Sequence, residues 1–218
     1  MHPNPLHPRA NFHLPSASTD SSLLSGPRWV TRYPPIKSLD ALGKGFRDSV
    51  EAFLAALKTD ENIKTGHLTV SINETYRPPA KSYLMYYAYW IWKGVYDPAS
   101  IPPGPVAIRW DHPTRQASIE AAKQMAIGWG IVYPPARRSR HNLGTAIDMT
   151  IRWTGNLVVK VGDKKQVVAG GRKYGEGDEV LIRTEPKNGD NADLQEVGAS
   201  YGVIKLRSDP PHWSDSGK

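Results

Sequence analysis

The apolar pattern of this 218-residue chain changes period partway along its length, and that change limits the folds open to it. Over 38–58, Leu39, Leu42, Phe46, Val50, Phe53, Leu54 and Leu57 recur at helical spacing, with Ser38 placed to cap the start. His67 to Ile72 then alternates Leu68, Val70 and Ile72 with polar residues, as a half-buried strand does. Helical periodicity returns over 79–94, opened by Pro79, and over 114–129, where Ile119, Ala122, Met125, Ala126 and Trp129 share one side. Beyond that point the pattern turns short and strand-like, at 145–153, 156–161, 165–169 and 179–184. A short helix at about 190–200 and a last strand at 202–207 follow. Helices followed by runs of strands predict an α+β domain: an antiparallel sheet with helices packed on one side.

Turn chemistry punctuates the second half. Thr154-Gly155-Asn156 and Gly162-Asp163 are expected to close hairpins. The helix over 79–94 is unusually aromatic, with Tyr83, Tyr86, Tyr87, Tyr89, Trp90 and Trp92. A helix buried on several sides explains this composition; a sugar-stacking surface is the alternative. Residues 1–35 hold seven of the nineteen prolines and no apolar period, so they read as an extended, flexible arm ahead of a domain at 36–218. His2, His7 and His13 lie in that arm as solvated spacer residues.

The chain has no cysteine, which removes disulfides and thiolate metal sites, so any metal must be held by imidazole and carboxylate. The formal charge of +7 favours an anionic partner or simply solubility. No apolar run is long enough to span a membrane, and the N-terminus lacks the apolar stretch of a secretory signal.

The residues with most chemical content fall in two segments. In Ser139-Arg140-His141-Asn142-Leu143-Gly144-Thr145-Ala146-Ile147-Asp148, alternation puts Thr145, Ile147, Met149 and Ile151 on one face of a strand and Asp148 on the other. A carboxylate in the middle of an apolar strand needs a compensating charge, and a cation supplies one. Gly144 permits a bend that brings His141 back beside Asp148. In Asp209-Pro210-Pro211-His212-Trp213, two prolines stiffen the link between a second imidazole and another carboxylate. His141, Asp148 and His212 make a three-ligand zinc set that leaves a position for water, and Asp209 fits the base that takes its proton. On spacing alone, two unrelated surface histidines remain open as the other reading.

Ser139-x-His141-x-x-Gly144-x-Ala146-x-Asp148, followed by Asp209-x-x-His212-Trp213, resembles the zinc D-Ala-D-Ala peptidase family over roughly 65–215. That family includes D,D-carboxypeptidases, vancomycin-resistance dipeptidases and phage L-alanyl-D-glutamate endolysins, and the hedgehog signalling domain shares its fold. The resemblance implies one zinc ion held by His141, Asp148 and His212, with Asp209 as catalytic base. Many members carry Glu at that position; Asp leans toward the endolysin branch. Glu74-Thr75-Tyr76-Arg77 is similar to the segment whose arginine faces the substrate, which implies that Arg77 stabilises the oxyanion and helps bind substrate. Ser139 would bind a substrate carbonyl or carboxylate, and Trp213 would pack beneath the metal.

The implied activity is hydrolysis of an amide in the peptidoglycan stem peptide or cross-link, as a D,D- or L,D-type endopeptidase or carboxypeptidase. The protein would be made in the bacterial cytoplasm and act at the cell wall, released as a phage-type lysis enzyme or injected as an interbacterial toxin. Delivery machinery or an immunity protein would then be further partners. Arg137, Arg138 and Arg140 would draw anionic wall fragments to the site, whereas a nucleic-acid partner is disfavoured because no aromatics interleave the cluster. A non-catalytic zinc module that binds cell wall is the alternative. His112 is read as structural, and 153–188 as an elongated hairpin insertion relative to a minimal family core.

Overall fold

The computed structural model describes residues 20–59, 61–62 and 67–218. Five helices are described: α1 (Arg28–Arg32), α2 (Lys44–Leu57), α3 (Pro79–Trp92), α4 (Arg115–Gly128) and α5 (Ala192–Ser200). The strands are β1 (Leu68–Glu74), β2 (Ala146–Trp153), β3 (Leu157–Lys160), β4 (Val167–Ala169), β5 (Arg172–Tyr174), β6 (Glu179–Ile182), β7 (Ile204–Lys205) and β8 (His212–Ser214). The expected mixed α+β architecture is present, centred on an antiparallel four-stranded sheet in the order β1-β2-β8-β7.

Alternation along β2 works as read. Ile147, Met149, Ile151 and Trp153 are buried in the main core, with Phe46, Val50, Phe53 and Leu57 of α2 and Leu194 and Val197 of α5. Each such side chain contributes about 1.5–3 kcal/mol through burial, which pins the strand's facing. Asp148 is consequently turned to the other face. Trp213, from β8, is fully buried in the same core and packs against Phe53 with ring centroids 5.8 Å apart.

The helices do not all share that layer. Helices α3 and α4 pack on each other in a second apolar cluster with Trp29 and Trp110. Tyr83, Tyr87 and Tyr89 of the aromatic helix are buried and Tyr86, Trp90 and Trp92 half-buried, so its rings serve mainly as core. Pro79 starts α3, and the Thr114 hydroxyl caps α4 by accepting from the Ala117 N–H at 3.2 Å.

The helix expected over 38–58 is broken. Ser38 caps a single 3-10 turn at Leu39–Ala41, and α2 starts afresh after Gly43. Gly43 is held from outside the helix, because its N–H donates to the Gly144 carbonyl at 2.9 Å. Residues 20–35 also differ from an extended arm. Leu24 bridges to Arg109, and Trp29 of α1 is buried while its Nε1 donates to the Leu24 carbonyl. The rest of the arm, with His2, His7 and His13, lies outside the described residues.

The segment 153–188 is a hairpin within a hairpin. Strand β3 pairs with β6, and β4 with β5 between them. The turns expected at Thr154-Gly155-Asn156 and Gly162-Asp163 do not close hairpins, since β2 pairs with β1 and β8, and β3 with β6. The tight turn is at Gly170 and Gly171, both with positive φ, which matches the right-handed twist of β4 and β5. Leu157, Val159, Val167, Val180 and Ile182 from these strands are buried in the main core, so the segment is part of the domain's interior.

Candidate metal centre

Three elements bring one imidazole, one carboxylate and a second imidazole together. Register supplies two of them. Asp148 on β2 lies directly opposite His212 on β8, and opposite Glu74 on β1, where the chain bulges between Ile72 and Glu74. The third comes from a 3-10 turn at Arg140–Leu143 that ends on Gly144 with φ 68°. A β-carbon on Gly144 would also stand 2.9 Å from the Gly43 nitrogen, so this position is closed to other residues by conformation and by space.

The ligand atoms form a nearly equilateral triangle. His141 Nε2 is 3.1 Å from Asp148 Oδ1 and 3.1 Å from His212 Nδ1, and His212 Nδ1 is 3.1 Å from Asp148 Oδ1. His141 and His212 are buried, while Asp148 keeps 15% side-chain exposure, so solvent reaches the carboxylate.

The outward nitrogens decide what the triangle needs. His141 Nδ1 lies 2.6 Å from the Thr75 carbonyl, and His212 Nε2 lies 3.2 Å from the main-chain oxygen of Lys218. Both outer atoms face acceptors, so each neutral ring carries its proton there and turns a lone pair inward. Two lone pairs and a carboxylate oxygen then face one another at 3.1 Å. That arrangement is repulsive unless an extra proton or a cation sits among them. A buried His141, Asp148 and His212 group can therefore hold a metal ion, and the donors fit one. Burial pushes the Asp148 carboxyl up, but with protons on the inner nitrogens, hydrogen bonds from both imidazoles outweigh it and hold it well below the usual carboxylate range. A metal cation would take the place of those protons.

Arg77 reaches the other side of Asp148, with Nη2 3.8 Å from Oδ2. Its Nε and Nη2 are bound to Glu74 Oε2 at 2.7 and 2.5 Å, and Glu74 Oε1 accepts from Lys81 Nζ. Asn142 links this group to the histidine turn: its side chain donates to the Arg77 carbonyl and to Ser82 Oγ, and accepts from the Ser139 N–H at 2.9 Å. The Ser139 hydroxyl itself is buried without a hydrogen-bond partner among the described residues.

Asp209 is placed differently. It is half-buried in the turn before β8, where its carbonyl accepts from the His212 N–H at 3.0 Å and from Lys205 Nζ at 2.6 Å. Its carboxylate makes no hydrogen bond or ion pair with His141, Asp148 or His212. Arg140 pairs with Asp215 at 3.6 Å and Arg137 lies over Tyr87, while Arg138 is exposed. His112 bonds Ser25 Oγ at 2.9 Å and takes no part in the metal group.

Several contributors were not singled out from the sequence. The Thr75 carbonyl and the Lys218 main-chain oxygen carry no sequence signal. Lys81 does: it is a lysine beside Ser82, Tyr83 and Leu84, all buried, and a lysine on such a face needs a carboxylate. Lys205 is also buried, with Nζ donating to the carbonyls of Leu206 and Asp209. Compared with protein-family models, curated proteins and solved structures, the chain matches none.

Proposed function

We propose that this chain is a zinc peptidase that hydrolyses an amide bond in the stem peptide or cross-link of peptidoglycan. The observation that carries the reading is the convergence of His141 Nε2, His212 Nδ1 and Asp148 Oδ1 with their lone pairs inward. Two nitrogens and one oxygen suit zinc, whose bonds of about 2.0–2.2 Å set tetrahedral ligand atoms about 3.3–3.6 Å apart. The separations of 3.1 Å need only a slight spreading to reach this. The antiparallel sheet backed by helices, and the order of the two motifs, support a D,D-peptidase-like or hedgehog-like fold.

Zinc, when bound, acidifies a water and polarises the scissile carbonyl. The chain's own residues do the rest. Asp209, on the turn that delivers His212, accepts the water proton and returns it to the leaving amine. Arg77 stabilises the negative charge that develops on the carbonyl oxygen. Ser139, at the start of the turn that carries His141, would bind a substrate carbonyl or carboxylate, and Arg137, Arg138 and Arg140 attract the substrate's carboxylates. The enzyme would act at the wall after release or injection, where a delivery apparatus or an immunity protein would meet it.

Purified protein should contain one zinc per chain and release new amino groups from sacculi, and EDTA should abolish release. The lack of a hydrogen bond or ion pair between the Asp209 carboxylate and the three ligands favours one second reading, a zinc module that binds wall without turnover. Stoichiometric zinc with no released amines across several wall types would select it. Mass spectrometry of digested muropeptides identifies the bond.

A further inference from the structure

Behind Arg77 lies a set of charges that metal binding does not require. Glu74 and Lys81 have side-chain exposures of only 9% and 3%. Burial pulls the Lys81 ammonium below the usual lysine range, opposed by Glu74. Such buried pairs are seldom retained for stability, because two well-packed neutral side chains serve as well or better. Their geometry gives another reason. Glu74 spends one oxygen on Lys81 and the other on both Nε and Nη2 of Arg77, whose main-chain N–H separately donates to the His141 carbonyl at 3.2 Å. The guanidinium is thereby fixed along one edge, and its Nη1 has no protein acceptor among the described residues.

We propose that Glu74 and Lys81 are positioning residues: a buried carboxylate–ammonium brace that stops Arg77 from collapsing onto Asp148 and keeps its free edge available to a substrate oxyanion. Without Glu74, the nearest carboxylate to Arg77 is Asp148, whose Oδ2 is already 3.8 Å away. Lys81 anchors the far oxygen of Glu74 and so sets the angle at which Arg77 is held. The proposal rests on the hydrolase reading for its consequence in turnover, but not for the geometry it predicts.

The test compares the zinc-loaded full chain with Glu74→Gln/Lys81→Met, which removes both charges while keeping approximate shape. The double variant should keep one zinc and a near-native melting temperature. Its kcat on sacculi peptides should fall about tenfold or more with KM little changed. The affinity for inorganic phosphate, an oxyanion probe read by calorimetry, should fall about tenfold. In an Arg77→Ala background the same double change should move neither quantity further, because a residue that acts through Arg77 cannot act when Arg77 is gone.

If the double variant does not fold, Glu74→Asp keeps the charge but withdraws it by one methylene, and should show the same non-additive losses. No amine release by the wild type would refute the hydrolase reading and leave phosphate affinity to decide the brace. Wild-type phosphate affinity in the folded variants, or losses that add to those of Arg77→Ala, would overturn it, as would phosphate binding that is absent or indifferent to Arg77.

Discussion

Asp148 and His212 are paired directly across β2 and β8, and that register sets Asp148 Oδ1 3.1 Å from His212 Nδ1. Strand β8 is only three residues long, so a metal held between these side chains would tie a short strand to the centre of the sheet. Metal binding should therefore raise stability. At a free zinc concentration a thousand times Kd, the gain is about 4 kcal/mol. For a chain of this size that corresponds to a rise in Tm of roughly 8–16 °C. Calorimetric melts with zinc and with EDTA measure it, and Asp148→Ala should abolish the difference.

Acid should release the metal through the imidazoles. A proton on His141 Nε2 or His212 Nδ1 occupies the lone pair the metal needs, so affinity rises with pH and levels off once both rings are neutral. Lowering pH from 7.5 to 5.5 should therefore weaken zinc binding, and returning to pH 7.5 should restore it. Asp148, held well below the usual carboxylate range, stays ionised throughout this window and adds no step. Competition titrations with a chromophoric chelator at both pH values give the ratio.

Gly144→Ala should be costly beyond its size. The residue sits at φ 68° and its new methyl would meet the Gly43 nitrogen at 2.9 Å. Forcing that backbone costs about 1–3 kcal/mol, and relief of the contact would move the turn that carries His141. Urea denaturation should show the lost stability, with zinc affinity reduced in parallel. Gly45→Ala, where the added carbon meets nothing within 4 Å, is the control.

Deletion of 216–218 should weaken metal binding without touching a ligand. The Lys218 main-chain oxygen accepts from His212 Nε2 and from Ser214 Oγ, and so fixes the ring's proton on the outer nitrogen. Loss of such a partner typically costs 10–100-fold in metal affinity. Calorimetric zinc titration of the shortened chain measures this, and an unchanged Kd would show that the ring is oriented by its packing alone.

Local patterns were readable where local physics decides the outcome. Pro79 and Thr114 mark helix starts because capping depends on neighbours in the chain, and the facing of Asp148 follows from the alternation of Ile147, Met149 and Ile151. Partner choice was less legible. Gly155 has the positive φ of a turn residue, yet the strands on either side of it pair elsewhere. Gly170-Gly171 closes the actual two-residue hairpin, and this glycine pair is a turn signal carried by the sequence itself. The break at Gly43 depends on a hydrogen bond to Gly144, and β8 is too short for any period to show. At the site, His141, Asp148 and His212 could be picked out by type and spacing. Thr75 and Lys218 act through backbone atoms, which no side-chain pattern encodes.

His141 and His212 are 71 residues apart in sequence, and the last donor arrives only with the short strand that closes the sheet. A chain still being synthesised, or held in extended form, lacks the complete centre: until residue 212 docks beside Asp148, the local pair of His141 and Asp148 is without its third donor. Architecture of this kind acts as an interlock, in which the full three-donor site and completed folding are reached in the same step.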